Sequence, residues 1–495
     1  MKINYQIIFY FFGILLMFNG GFMFIASILS FIYNDGITDS LIVSGIIVLS
    51  LGAFSTIYNR NFDKNLNKRE GYIVVIFGWI VMILSGSIPY LLTNSIDGFT
   101  NIIFETTSGY TTTGATILDS IESLPKGLIF WRSITHWIGG MGIIVLAIAI
   151  LPLLGIGGMQ LFSAEAPGPS ADKLHPRITD TAKRLWLIYL SFTLIETLLL
   201  TVFGMSFFDA INHSMSNIAS GGFSTKDSSL AFWNSQPIIQ YIVIFFMLIA
   251  GTNFILLYYI FKGKFNKIKL DEEFNLYFRI IIFFALMVSL LVFFNSNFLL
   301  SDDISLFSRI EAVARHSLFQ VVSIVTTTGF VTADYTSWTP FLLLIFFGLM
   351  FLGGSAGSTS GGFKIVRHLL IIKNGFLEFK RILHPSAIVP VRYNNKSVPS
   401  GIIYNILGFF IIYMLSFMVG ALGFSLFGLD FQSALGVSAS SLGNVGPSIG
   451  DYGPMGTFSQ MPVLAKWWAS FLMLVGRLEL FTVLIVFTAY FWKKR

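Results

Sequence analysis

The chain has no cysteine and few charged residues. With no cysteine among its 495 residues, disulfide bonds and thiolate metal sites are excluded. Charged residues make up only 11% of the sequence, whereas hydrophobic residues make up 55%. Soluble globular domains carry about 25% charged residues, and the mean hydropathy here is +0.76. The composition therefore indicates a membrane protein.

The sequence also offers little support for catalysis or for a resident cofactor. Its six histidines are scattered along the chain without the close spacing of metal ligands. No paired nucleophile and base and no phosphate-binding loop is visible in the sequence. We therefore expect neither an enzyme nor a covalently bound cofactor.

What the chain does contain is a series of long apolar runs. A helix needs about 20 apolar residues to cross the hydrocarbon core of a bilayer, and roughly ten runs approach that length by the hydropathy rule. The first two cover 7–32 and 41–58, and the others begin near Tyr72, Leu128, Leu185, Pro237, Phe278, Pro340, Ile402 and Val463. No soluble domain fits between them. We expect the first run to be a retained helix, because no small-residue cleavage site follows it.

Positive charges are concentrated in alternate connections between these runs. The basic segments are 60–69, 173–184, 262–269, 373–396 and 493–495, whereas the intervening connections carry Asp and Glu. The positive-inside rule then predicts that the basic connections and both termini lie in the cytoplasm. The net charge of +6 follows from this topology and requires no nucleic-acid partner.

A motif recurs four times in the acidic connections. The four versions are FETTSGYTTTGAT (104–116), INHSMSNIASGGFST (211–225), FQVVSIVTTTGFVT (319–332) and ALGVSASSLGNVGPS (434–448). When they are aligned on Gly114, Gly221, Gly329 and Gly446, their separations are 107, 108 and 117 residues. Such a regular period indicates four duplicated units.

Each motif follows a segment that we expect to be too short to cross the bilayer. Non-helical backbone at membrane depth survives only where protein buries it or where it lines a watery cavity. Backbone carbonyls and hydroxyls in such a loop can replace the hydration shell of an ion. Glycine permits the dihedral angles that turn carbonyls inward, and the end of the preceding short helix carries negative dipole charge. These features favour a cation.

These motifs resemble the Trk/Ktr/HKT superfamily of potassium transport proteins, and within it the TrkH type. The resemblance covers nearly the whole chain. It rests on several long motifs in the family's order, namely TTTGAT, WRSITHWIGGMGIIVLAIAILP, GGMQLFSAEAPGP, SGGFST, TTTGF, GGSAGSTSGGFK, GNVGPS and GRLELFT.

The resemblance implies an all-α integral membrane fold. Four tandem units of helix, re-entrant pore loop and helix would surround a pseudo-fourfold pore, after two N-terminal accessory transmembrane helices. The expected divisions are the accessory helices at 1–69 and pore repeats at 70–160, 161–265, 266–385 and 386–495.

By the same resemblance, the pore loops form a potassium filter. Glycine in all four loops goes with potassium preference in this superfamily, and glycine is present in all four here. The expected ion-binding residues are Thr112, Thr113, Gly114, Ala219, Ser220, Gly221, Thr327, Thr328, Gly329, Asn444, Val445 and Gly446.

A second feature lies in the inner helix of the third repeat. Thirteen residues from Pro340 span roughly 20 Å as a helix, short of the hydrocarbon thickness of about 30 Å. The stretch GGSAGSTSGGFK follows, so we predict a helix break below the filter. We call residues 353–362 the gate loop, because the family has an intramembrane gate here. The expected gate residues are Gly353, Gly354, Gly357, Gly361, Gly362, Lys364 and Arg477.

Two of these assignments have simpler alternatives. Lys364 is expected at the cytoplasmic end of the gate loop near the pore, but it could equally be a solvated lysine. Arg477 interrupts an apolar run, where a charge usually faces a cavity or a partner. It is expected to contact the gate loop, and the alternative is that it pairs locally with a carboxylate.

The function implied is potassium uptake through a gated pore in a bacterial cytoplasmic membrane. The family forms homodimers within membrane lipid and binds a cytosolic, nucleotide-binding regulatory ring of the TrkA type. The basic connections 162–184 and 376–396 are the expected docking surface, and nucleotide would act only through that partner. The alternatives are a symporter coupled to protons or sodium, with broken helices that bind substrate, and a non-transporting scaffold.

Overall fold

The computed structural model describes residues 3–60, 67–142, 178–295 and 305–493. In these residues the fold is helical, apart from one short antiparallel hairpin. The expected repeat boundary at 160 and 161, the motif at 157–169 and most of the expected docking segment 162–184 lie outside the described residues.

The first two helices form a tightly packed pair. Helix α1 covers Tyr5–Tyr33 and α2 covers Thr38–Tyr58. A Cβ atom on Gly13 would lie 2.7 Å from the carbonyl oxygen of Gly52, so only glycine allows this approach. Small residues that bring helix backbones together are the usual basis of helix packing in membranes. This pair corresponds to the accessory helices expected from the sequence.

Four units follow, each with an outer helix, a shorter helix, an ascending loop and an inner helix. The first unit contains α3 (Lys68–Gly86), α4 (Ile88–Thr93), α5 (Phe99–Tyr110) and α6 (Lys126–Gly140). The second contains α7 (Ile178–Val202), α8 (Phe207–Ile218), α9 (Pro237–Ala250) and α10 (Phe254–Phe261).

The other two units have the same order of elements. A short helix, α11 (Phe265–Lys269), leads into the third unit, which contains α12 (Glu272–Asn295), α13 (Leu306–Val325) and α14 (Pro340–Leu349). Helix α15 (Ile365–Leu383) and the strands β1 (Arg392–Tyr393) and β2 (Lys396–Ser397) connect it to the fourth unit. That unit contains α16 (Ser400–Leu426), α17 (Phe431–Gly443), α18 (Val463–Arg477), α19 (Leu480–Leu484) and the terminal α20 (Ala489–Trp492).

The accessory and outer helices are the regular ones. Among the described residues, six helices are long and apolar enough to cross a membrane, and they belong to the accessory pair and to the outer positions of the four units. The inner helices are irregular. Helices α9 and α10 bend by 106° at their junction, and α18 bends by 112° against Leu480–Phe487. Among the described residues, the sharp bends lie in the inner helices of the second and fourth units.

The break predicted in the third unit is present. Helix α14 ends at Leu349 and α15 begins only at Ile365. The breaks in the second and fourth units were not predicted from the sequence. They fall after Gly251 and at Glu479, whose φ of 62° is in the left-handed region.

One expectation about the short helices is wrong. Helices α5, α8 and α17 have 12, 12 and 13 residues, as expected of segments that stop inside the membrane. Helix α13 has 20 residues, which is long enough to cross. Its first half carries Arg309, Glu311 and Arg315, so its polar beginning accounts for the additional length.

Candidate ion pathway and gate

The four short helices end at a common point, and each is followed by a loop of the same conformation. In every loop one residue has a φ between 52° and 56°, and a glycine two positions later has a φ between 78° and 99°. The first residues are Thr112, Ser220, Thr327 and Asn444, and the glycines are Gly114, Gly222, Gly329 and Gly446. We call these four the ring glycines.

The second loop therefore has a different register from the one taken from the sequence. Gly222 has the backbone conformation of Gly114, whereas Gly221 does not have a positive φ. Gly221 corresponds instead to Thr113, Thr328 and Val445. In the corrected register the four loops share one more residue, because a serine precedes every ring glycine by six positions. These serines are Ser108, Ser216, Ser323 and Ser440.

The ring glycines interlock around the axis. A Cβ atom on Gly114 would collide with the carbonyl oxygen of Gly221, in the second loop. The same relation links Gly222 to Thr328, Gly329 to Val445, and Gly446 back to Thr113. Each of the second, third and fourth loops thus presents one carbonyl to the ring glycine of the loop before it. The first loop presents its carbonyl to the ring glycine of the fourth, which completes the circle. The four loops form a closed ring that admits no side chain at these positions.

Side chains around the ring are bonded to one another. The hydroxyls of Thr111 and Thr113 are 2.8 Å apart, and Thr326 and Thr328 repeat that contact at 2.8 Å. The Asn444 amide nitrogen donates to Thr113 Oγ1 at 3.0 Å. Backbone carbonyls are consequently the oxygen atoms that all four loops share. Ala219, expected among the ion ligands, lies at the position of Thr111, one residue before the left-handed Ser220.

A buried ion pair supports the first two loops. Arg132 Nε lies 2.6 Å from Glu105 Oε1, and both side chains are almost fully buried. Arg132 also donates to the carbonyl oxygen of Ser224 at 3.0 Å, and Glu105 accepts the Thr116 hydroxyl at 3.0 Å. The pair therefore joins the ascending segments of both loops.

The corrected register explains the equivalent contacts in the second and third units. His213 and Gln320 precede their ring glycines by nine residues, as Glu105 does. His213 bonds to the Ser224 hydroxyl at 3.0 Å, and Gln320 donates to the Ala333 carbonyl at 2.9 Å. This position holds the ascending segment in each of three loops.

On one side of the ring lies a cavity of about 210 Å³. All four ring glycines line it, together with the acidic side chains of Asp119 and Asp227 and the basic side chain of Lys226. The cavity thus leads from the protein surface to the ring.

The gate loop lies on the other side of the ring and is held mainly by backbone groups. Its base is closed by a hydrogen bond from the Gly353 amide to the Phe363 carbonyl, at 3.0 Å. The Ser355 amide donates to the Gly251 carbonyl at 2.9 Å, at the break of the second inner helix. The Thr359 hydroxyl donates to the Ile218 carbonyl at 2.9 Å, at the end of α8.

The gate loop also contacts the third and fourth pore loops. The Gly361 amide donates to Thr327 Oγ1 at 2.7 Å. A Cβ atom on Gly361 would lie 2.6 Å from the carbonyl oxygen of Gly443. Gly357 and Gly362 have φ values of 77° and 69°, and Gly354 packs against Gly251. The loop is thus fitted directly beneath the ring.

Arg477 joins the gate loop to the first unit. Its guanidinium donates to the Thr359 carbonyl at 2.8 Å and to the Gly139 carbonyl at 2.7 Å. The nearby carboxylate of Glu479 pairs with Arg367. Arg477 therefore makes the contact with the gate loop that the sequence suggested. Lys364 is partly buried, and its ammonium group donates to the Ser360 carbonyl, within the gate loop.

No cluster of His, Asp and Glu side chains in the described ranges is arranged to hold a metal ion. The oxygens available around the axis are those of backbone carbonyls and hydroxyls. Such groups suit an ion in transit rather than a resident metal.

Comparison with known proteins agrees with this geometry. Residues 39–494 match the TrkH family of cation transport proteins. The chain is 39% identical over 485 residues to the Trk system potassium uptake protein TrkH of Escherichia coli K12, with 97% of this chain and 98% of that one covered. It is 38% identical over 489 residues to the corresponding protein of Halomonas elongata, covering 97% and 98%.

A solved structure has the same fold. The crystal structure of the potassium transporter TrkH from Vibrio parahaemolyticus is similar to this chain with a TM-score of 0.87 and 36% identity, and each chain is covered completely. The all-α membrane fold and the resemblance noted in the sequence are thereby confirmed. The chain belongs to the TrkH family of cation transport proteins.

Proposed function

We propose that this integral membrane protein carries potassium ions into the cell along the axis of the four pore loops. The observation that carries the proposal is the closed ring, in which each ring glycine faces the carbonyl of the next loop. Rings of backbone carbonyls replace the hydration shell of a cation. The relatives named above are potassium uptake proteins, which supports potassium as the substrate.

The proposed ion ligands are the backbone carbonyls around the ring, from the segments that the sequence singled out. In the second loop we place Ser220, Gly221 and Gly222 in this role, because their conformation matches Thr112, Thr113 and Gly114. Each preceding helix also directs its C-terminal end toward the loop, where the helix dipole is negative. Together these features favour a monovalent cation over an anion.

We propose that the gate loop controls the flow of ions. It lies beneath the ring and bonds to Ile218 and Thr327, which adjoin the filter. Small residues provide few side-chain contacts, so a loop built from them opens at a low free-energy cost. Arg477 would hold the closed state, because it bridges the gate loop and the first unit.

Regulation and assembly are proposed from the family resemblance. We propose a homodimer and a cytosolic nucleotide-binding partner of the TrkA type, as the family resemblance implies. The distribution of basic connections fits a cytoplasmic location of both termini. The second half of α15, within the proposed docking surface, leaves large apolar side chains exposed. They are Phe376, Phe379, Ile382 and Leu383. An exposed apolar surface of this kind suits a protein contact.

The test is ion flux into sealed proteoliposomes. The intact protein is expected to pass potassium in preference to sodium without any second gradient. Gly114→Ser and Gly222→Ser would each insert a side chain against a carbonyl of the next loop. We expect both to lower the potassium-to-sodium flux ratio about tenfold or more, because the carbonyl ring is displaced. Gly21→Ser is the matched control, since nothing lies within 4 Å of its added Cβ.

The outcomes separate the alternatives. Ring variants that behave like Gly21→Ser would contradict a filter at the ring. Potassium flux that requires an imposed sodium or proton gradient would instead establish a symporter.

A further inference from the structure

A buried carboxylate holds the gate loop from the cytoplasmic side. Glu273 lies in the first turn of α12, and only 3% of its surface is exposed. Its Oε1 atom accepts the Ala356 amide at 2.7 Å and the Val366 amide at 3.1 Å. Ala356 belongs to the gate loop, and Val366 lies in the first turn of the helix that follows. One carboxylate oxygen thus ties the loop to the helix on its far side.

Glu273 has different partners from the acidic residue beside it. Glu272 forms an ion pair with Lys373, whereas Glu273 is in none of the ion pairs of the described residues. A buried carboxyl group is tolerated only when hydrogen bonds satisfy it. The two amides of the gate region are the groups that meet this requirement.

The turn that carries Glu273 is itself held by a cytoplasmic hairpin. We call residues 391–398 the hairpin; its strands are β1 and β2. The Asn394 amide nitrogen donates to Asp271 Oδ2 at 2.9 Å, and Asn394 Oδ1 accepts the Glu272 amide at 2.9 Å. The hairpin therefore binds the residues immediately before Glu273.

A separate apolar cluster makes the same connection. It contains the buried side chains of Val366, Leu370 and Val391, and Ala356 and Tyr393 pack against it. Gate loop, α15 and hairpin thus share one small core that is distinct from the main core of the bundle. Movement of the hairpin would disturb the polar and the apolar attachment together.

We propose that Glu273 is a positioning residue that keeps the gate loop closed. Movement of the hairpin on the cytoplasmic side would then release the loop through Glu273. The proposal rests on the proposed function of the gate loop. We call the two hydrogen bonds of Glu273 the latch. Displacing the hairpin shifts the start of α12, breaks the latch and frees Ala356, so that the loop withdraws from the axis.

The test exploits the absence of native cysteine. In the full-length protein in liposomes, Ser360→Cys introduces a single thiol at a side chain that is 3% exposed. The Ser360 hydroxyl has no hydrogen-bond partner among the described residues, so its replacement costs little. The rate of modification by a water-soluble thiol reagent then reports opening of the gate loop, independently of any ion flux.

Adding Glu273→Ala is expected to raise the modification rate about tenfold or more, because two hydrogen bonds to a carboxylate are lost. Glu273→Gln retains an acceptor oxygen and is expected to stay within about threefold of the parent. This difference separates a positioning role from a general loss of packing. Glu378→Ala is the control, because that exposed carboxylate pairs with Arg381 on its own helix.

The hairpin provides an independent pair of variants. Asn394 and Asn395 both have positive φ, so Asn394→Gly and Asn395→Gly preserve the turn. Of these two asparagines, Asn394 is the one that bonds to the start of α12 in the described structure. Asn394→Gly is expected to raise the modification rate several-fold, and Asn395→Gly to leave it unchanged. This pair decides the question if Glu273→Ala fails to fold.

Potassium flux measured on the same samples distinguishes the two proposals. Faster modification and higher flux support both. Faster modification without higher flux supports the latch and contradicts the gating role of the loop. Equal modification of the Glu273→Ala and Glu378→Ala proteins, or of the two asparagine variants, overturns the latch whatever the flux.

Discussion

The ring and the gate loop are both rich in glycine and hydroxyl residues, but they are held in opposite ways. In the ring, each glycine is confined by a positive φ and by the carbonyl of the next loop. In the gate loop, the hydroxyls of Ser355, Ser358 and Ser360 are buried without a hydrogen-bond partner among the described residues. The ring glycines are thus held by the backbone of neighbouring loops, whereas three hydroxyls of the gate loop make no hydrogen bond among the described residues.

The difference shows how one composition can serve two purposes. A ring in which every position is fixed by its neighbours has one conformation, as selection between ions requires. A loop that rests on a few separable hydrogen bonds has a closed state of limited stability, as opening requires. We therefore expect damage to the ring to change which ion passes, and damage to the gate loop to change how fast it passes.

The largest effect is expected at the buried ion pair that supports the first two pore loops. Glu105→Ala leaves the Arg132 guanidinium buried without its carboxylate, which typically costs about 3–5 kcal/mol. We expect the free energy of unfolding to fall by that amount and potassium selectivity to be lost. Equilibrium unfolding in detergent and flux in liposomes measure the two effects.

A matched control is available on the surface. Glu122→Ala removes the exposed pair with Lys226, which should change the free energy of unfolding by less than about 1 kcal/mol. Equal destabilisation by both substitutions would show that the buried pair has no special role in supporting the ring.

A smaller effect is expected from Arg477→Ala. The substitution removes the hydrogen bonds to the Thr359 and Gly139 carbonyls. We expect potassium flux to rise about tenfold with an unchanged potassium-to-sodium ratio, because hydrogen bonds from a charged donor are each worth about 1.5–3 kcal/mol. Arg381→Ala, at an exposed pair with Glu378, is the control. A changed ion ratio with unchanged flux would place Arg477 with the ring instead.

The smallest effect is expected at the contact between the two regions. Thr327→Val keeps the side-chain shape but removes the oxygen that accepts the Gly361 amide. Loss of one such bond costs about 1 kcal/mol, so we expect a rise in potassium flux of about fivefold. Thr326→Val is the control, because its hydroxyl bonds within the third unit, to Val322 and Thr328. Similar flux from both variants would argue that Thr327 does not restrain the gate loop.

Much of the fold was accessible from the sequence because it depends on local patterns. Long apolar runs predicted the regular outer helices, and the period of the pore motif predicted four units. The break after Leu349 was predicted because ten small residues follow one another.

The parts that escaped prediction depend on contacts that a sequence does not display. Two adjacent glycines occupy the second loop, and only the backbone shows that Gly222 carries the positive φ. The breaks at Gly251 and Glu479 have no extended small-residue signal. Glu273 is 83 residues from Ala356, so its latch could not be inferred from spacing.

The closed ring has a consequence for biosynthesis. The Asn444 side chain of the fourth loop bonds to Thr113 of the first, across 331 residues of sequence. At a synthesis rate of about 5–20 residues per second, roughly 15–70 s separate the synthesis of the first loop from that of the fourth. Until then the nascent chain has no complete ring, so a prematurely terminated chain would lack the element that we propose selects the ion. The proposed selectivity would be acquired only when the final repeat has been inserted.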